Sequence, residues 1–164
     1  MASLFGLIAS AGVVVSLLVA AWQTRELTRQ TAINNGIAGA AAIYNGIERI
    51  QHFESYIAAE PWLHAHFYEN ADLPSDENQR VRVLALSRML ADVLTYGLMI
   101  SILNPEMRGY GGWKNFALVM RGTCPSLVEV VNEHPEWWPA LAEHWEAYPD
   151  SGEGRAAGAM NSTQ

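Results

Sequence analysis

Hydrophobic and polar positions divide the chain into one long uncharged run followed by shorter periodic stretches. The run is Leu4 to Trp22, LFGLIASAGVVVSLLVAAW, nineteen residues with no charged side chain. At about 1.5 Å per residue it reaches roughly 28 Å, close to the hydrocarbon thickness of a bilayer. It predicts a transmembrane anchor over residues 1–24 that meets lipid through residues 4–22. Beyond it, no proline intervenes between Gln23 and about Ala58. In that stretch Ile33, Ile37, Ala40, Tyr44 and Ile47 recur at alternating spacings of four and three, the seam of a packed helix. The expectation is a long stalk helix leaving the membrane, with a break near Asn34 to Gly36 as its rival.

Four X-Pro steps punctuate the remainder: Glu60-Pro61, Asn104-Pro105, Cys124-Pro125 and His134-Pro135. Each places a proline where a first helical turn tolerates it. Pro61 opens a short helix, PWLHAHFYE. The polar loop NADLPSDEN follows, and its Ser75 or Asp76 can cap the next helix. From about Glu77 to Leu103 the chain is apolar on nearly every face, which requires burial among several helices or a second span. Arg82, Arg88 and Asp92 decide for burial, because each charge near a bilayer centre would cost about 2.5 to 3.5 kcal/mol. Val93 to Leu103 alone is too short to cross. Arg88 and Asp92, one turn apart, are expected to pair.

A glycine-rich turn, RGYGG, then leads to a helix with Trp113, Phe116, Ala117 and Met120 on one face. Leu127, Val128 and Val131 form a further stripe. Trp138, Leu141, Trp145 and Tyr148 form another, with Pro139 in the first turn. The fold expected is all-α: an N-terminal transmembrane helix continuing into a long stalk helix, then a small helical bundle. The bundle domain takes residues 25–148, and residues 149–164, rich in Gly, Ala and Ser, are expected to be a disordered tail.

Charge adds orientation and removes one class of partner. Only Met1, Ala2 and Ser3 precede the uncharged run, whereas Arg25 and Arg29 follow it, so the positive-inside rule puts the C-terminal domain in the cytoplasm of a single-pass cell-membrane protein. A cleaved signal peptide is the alternative suggested by Val19-Ala20-Ala21, but the basic residues that should precede it are missing. The net charge is −7, and Arg80, Arg82 and Arg88 are balanced by Asp76, Glu77 and Asp92. No basic patch offers itself to a phosphate backbone, so nucleic acid is not an expected partner. The single cysteine, Cys124, excludes an intrachain disulfide framework.

Candidate chemistry is sparse. His64 and His66 are two apart and point to different sides of a helix, unlike the i, i+4 pairs that share one metal. Cys124 precedes Pro125 at a helix N-terminus, where the dipole can activate a thiol, but a lone cysteine is usually a small buried side chain. The glutamates from Glu129 to Glu146 read as solvated helix faces. No catalytic residue, metal ligand or cofactor site is therefore assigned. Trp62, Trp137 and Trp138 are either core anchors or a docking surface for a protein partner, since aromatic rings dominate interface energetics. Gly36, Gly39 and Ala40 let a second helix come close, either within the chain or in a homodimer through the stalk. The leading function is an interaction or regulatory module at the cytoplasmic face of the membrane. The alternative is a membrane-tethered enzyme or small-ligand or redox sensor with its site in the bundle.

The strings QTRELTRQT after the anchor, NPEMR after the apolar helix and HPEWWPAL near the end resemble a family of small uncharacterised bacterial membrane proteins. The likeness spans most of residues 4 to 145. It implies a single-pass protein with a cytoplasmic helical domain of unknown function. None of the three strings carries a catalytic signature.

Overall fold

Periodic apolar stretches become helices throughout the computed structural model, which describes residues 2–103 and 111–149. Among the described residues there are six α-helices and no strand: α1 Ala2–Ala59, α2 His64–Tyr68, α3 Glu77–Leu103, α4 Gly112–Thr123, α5 Pro125–Glu133 and α6 Pro139–Ala147. Short 3-10 turns at Pro61–Leu63 and Pro135–Trp137 precede α2 and α6. The Asn104-Pro105 step, most of RGYGG and the tail after Pro149 lie outside the described residues. Packing divides the chain into two units, Met1–Ala41 and Ala42–Gln164.

The first unit is helical from Ala2 onward, and α1 runs through Asn34 to Gly36 without the break weighed above. Thr24, Thr28 and Thr31 each donate a hydroxyl hydrogen bond to the carbonyl four residues back, at 2.9 Å. Val13, Val14, Val15, Leu17, Leu18 and Trp22 are all exposed.

In the second unit α3 is the central element, packed against α4, α5 and α6. Its buried residues include Val83, Leu86, Leu90, Ala91, Leu94 and Leu98 at spacings of three and four, with Ser87, Val93 and Ile100 besides, so several sides of the helix are covered. Asp76 caps it, accepting from the Gln79 N–H at 2.9 Å. The stretch Glu77–Ile102 is long and apolar enough to cross a membrane by length and composition, but more than half of it is buried inside the protein. Burial among helices accounts for its apolar character. Phe53, Leu63, Phe67, Met120, Leu127 and Leu141 complete the core, with the Phe53 and Phe67 rings edge to face at 5.1 Å.

Two local expectations are corrected. Within the second unit the packed face of α1 is not the one that carries Tyr44. It is Gly46, Ile50, Phe53 and Ile57, whereas Tyr44 is 73% exposed. The reason is steric: Trp113 lies against Gly46 and Gly97, where an added Cβ would come within 2.9 and 2.2 Å of its ring, so only glycines admit the indole. Arg88 and Asp92 do not form one of the salt bridges among the described residues. The Asp92 carboxylate instead accepts a hydrogen bond from the Trp138 indole at 2.7 Å.

The loop between α2 and α3 is tied down by backbone. Asn70 adopts a left-handed conformation, φ 58°, which asparagine tolerates at the end of a helix. Its N–H donates to the Thr123 carbonyl at 3.0 Å, and the Thr123 hydroxyl donates to the Phe67 carbonyl at 3.1 Å. Arg82 closes the same corner by pairing with Glu60.

Candidate docking surface

The corner between α5 and α6 contains two consecutive tryptophans with opposite fates. His134 and Trp138 each precede a proline and are held out of the helical region, φ −137° and −130°, because a following proline disfavours it. These two kinks turn the chain so that neighbouring indoles point in different directions. Trp138 goes inward, 4% exposed, and donates to Asp92 of α3. Trp137 stays outside, 56% exposed.

The exposed ring is nevertheless held in place. It stacks on His134 with centroids 4.0 Å apart and planes 8° from parallel, and it meets the edge of Trp138 at 5.6 Å. The His134 imidazole is in turn within 3.2 Å of the Glu136 carboxylate. One indole face therefore remains open, with the exposed carboxylate of Glu136 beside the stacked imidazole. A pre-positioned aromatic surface loses little side-chain entropy on contact, which suits protein docking.

Trp62 forms a second, smaller aromatic feature. It is half-buried, its indole donates to the Glu60 carboxylate at 3.2 Å, and its ring meets His66 at 5.8 Å. Beside it lies an open cleft of about 490 Å³ lined by Ile57, Ala58, Pro61, Trp62 and Ala65. His64 pairs with Glu69 at 3.2 Å while His66 keeps to Trp62, so the two imidazoles have different partners. Among the described residues no three His, Cys, Asp or Glu side chains converge as metal ligands would. Of the stalk residues singled out for close approach, Gly36 and Ala40 are exposed and Gly39 is buried.

Cys124 is fully buried, with its sulfur 3.4 Å from the Ser126 hydroxyl. Ser126 in turn bonds Ser87 of α3 at 2.8 Å, and Ser87 donates to the Val83 carbonyl. Burial pushes the thiol pKa up, only partly offset by hydrogen bonds from Ser126, the Leu127 backbone and Ser87. The group is a protonated thiol at neutral pH, the opposite of an activated nucleophile. Tyr68 is also displaced upward, first by burial and then by its hydrogen bond to the Glu54 carboxylate.

Three contacts have no local signature in the chain. Tyr68 reaches Glu54, Ser87 reaches Ser126, and Arg121 donates to the carbonyls of Trp145 and Tyr148 at 2.9 and 3.2 Å, closing the end of α6. Each joins residues at least fourteen positions apart, where spacing rules within one helix do not reach. Comparison with known proteins finds no matching family model, no matching curated protein and no matching solved structure.

Proposed function

We propose that this protein is a membrane-tethered docking module. Residues 4–22 anchor it in the cytoplasmic membrane, and the bundle built on α3 presents Trp137 to a protein partner at the cytoplasmic face. The observation that carries this reading is a large indole left 56% exposed yet fixed between His134 and Trp138. A ring present only to fill the core would be covered, as Trp138 is. The exposed run Val13, Val14, Val15, Leu17, Leu18 and Trp22 supports the anchor, since nothing within its unit of the chain covers those side chains. Arg25 and Arg29 support the orientation. The acidic excess near Trp137 favours a protein partner over nucleic acid.

The test is a comparison of proteins co-isolated with the full chain and with Trp137→Ala from membranes. The docking reading expects specific proteins to be lost with Trp137→Ala while thermal melting barely changes. Identical co-isolated proteins would overturn it. A C-terminal fusion to an enzyme active only outside the membrane should be silent, and strong activity would overturn the orientation.

A further inference from the structure

We infer that the exposed face of α1 at Ile33, Ile37, Ala40 and Tyr44 packs against the same face of a second copy of this chain, as a parallel helix pair. Ile33, Ile37 and Tyr44 are 51%, 64% and 73% exposed, and Ala40 is exposed between them. At about 100° per residue these four fall on one side of the helix. Within the second unit, Tyr44 points roughly opposite to Gly46, so the face that packs in the chain and the face left open are distinct. From Gln30 to Ile47 no charged side chain occurs, although most of that stretch faces solvent. A solvated helix face ordinarily carries charge.

Several features point to a second copy as the occupant. In a parallel pair related by a two-fold axis each residue meets its own counterpart, so a face without charge is complementary to itself and repels nothing. The spacing places Ile33, Ala40 and Ile47 at one core position of a heptad and Ile37 and Tyr44 at the other. Alternation of these two core positions along one face is the repeat by which neighbouring helices pack knobs into holes. Gly36 flanks the seam, and an added Cβ there would meet nothing within 4 Å, so the chain's own packing gives no reason for a glycine. A second helix at close range does.

The extent of the contact fits a tethered chain. Ile33 to Ile47 covers about 21 Å of helix, too little for the roughly 1,200 Å² that stable interfaces bury. Two copies anchored in one membrane are already parallel and concentrated, which makes so small a contact sufficient. That last step rests on the anchor reading; the choice of face does not.

Cysteine cross-linking of the full chain in cell membranes tests it. Ala40→Cys should give a disulfide-linked dimer under mild oxidation several-fold more efficiently than Asn35→Cys, which is exposed on the other side of α1. Cys124 is buried and stays out of the reaction. Adding Ile37→Lys to Ala40→Cys should lower cross-linking to the Asn35→Cys level, with helix content and melting unchanged. Equal cross-linking at both positions, none at either, persistence with Ile37→Lys, or unfolding by Ile37→Lys would each overturn the contact. Recovery of the protein in the soluble fraction would overturn the anchor reading instead. The ratio between the two cysteines, read in whichever fraction holds the protein, still decides the face.

Discussion

Replacing Gly97 by alanine puts one methyl group where the Trp113 indole already is. The added Cβ would lie 2.2, 2.3 and 2.7 Å from Cδ2, Cε3 and Cγ of that ring, against an ordinary contact of 3.4 to 4 Å. These atoms are the fused middle of a rigid side chain, so no rotation of a flexible end relieves the clash. Trp113 must shift as a body or α3 and α4 must separate. Trp113 is 7% exposed, and a buried tryptophan covers about 150–250 Å², or about 4–6 kcal/mol at 25 cal/mol per Å² if wholly expelled. Partial accommodation is the rule for overpacked cores, which brings the expected loss to about 3 kcal/mol. Gly46→Ala meets only Cζ2, at 2.9 Å, and should cost less, on the order of 1 kcal/mol. Gly36→Ala meets nothing within its own chain and should stabilise the helix of copies separated by detergent by up to about 1 kcal/mol. Thermal and urea unfolding of the full chain in detergent, followed by circular dichroism, gives the three values. The reasoning is refuted if Gly97→Ala melts no lower than Gly36→Ala. Trp113→Phe combined with Gly46→Ala should remove that smaller clash, because phenylalanine has no atom at the Cζ2 position, whereas it keeps Cγ and Cδ2 and should not relieve Gly97→Ala.

Trp137→Ala and Trp138→Ala should separate widely. The first removes an exposed ring and should change stability by less than about 1 kcal/mol, whereas the second empties a buried site at about 3–5 kcal/mol, both read from urea unfolding. Asp76→Ala should cost about 1 kcal/mol by leaving the Gln79 N–H uncapped, measurable as a lower urea midpoint. The Cys124 thiol and Tyr68 hydroxyl both have folded pKa values raised above their unfolded ones, so their contribution to stability is complete at neutral pH. The cysteine part is lost as pH rises past about 8.5, where the unfolded thiol ionises, and the tyrosine part only past about 10. A melting series from pH 7 to 10 should fall more steeply for the parent than for Cys124→Ala. Alkylation of Cys124 with a maleimide at pH 7 should be slow in the folded protein and fast in denaturant.

What could be read from the chain was what a single helix records about its own surroundings. The extent of α3, its cap at Asp76 and the stripe Trp113, Phe116, Ala117 and Met120 were legible because burial leaves a period of three to four in the residues themselves. The packed face of α1 was not, because that helix has two apolar faces and periodicity does not say which one meets the rest of the chain. Ile33, Ile37 and Tyr44 form the stronger pattern, and glycine at position 46 hides the weaker-looking face that Trp113 selects. Asp92 was assigned to Arg88 because rules for one helix see only neighbours four residues away; its partner, Trp138, comes from the corner between α5 and α6. Trp137 and Trp138 are indistinguishable as residue types. The two X-Pro steps beside them show that the chain turns there, but which indole ends up inside depends on where α3 lies.

The Ser87–Ser126 contact sits in an interface made mostly of leucine and valine, and it works as an alignment mark. Apolar side chains tolerate sliding: a helix displaced by one turn can still present leucine to leucine. Two hydroxyls cannot slide without loss: any offset of α5 along α3 would break the bond between them in a dry place, leaving Ser87 its Val83 carbonyl and Ser126 only the Cys124 sulfur, at roughly 1–3 kcal/mol. The pair therefore discriminates between registers while adding little to the depth of the correct one. Changing one serine to alanine should hurt more than changing both. The double variant would keep a stable bundle but lose the penalty that makes one docking of α5 better than its neighbours, and broadened side-chain resonances around Leu127 and Leu90 would be the sign of it.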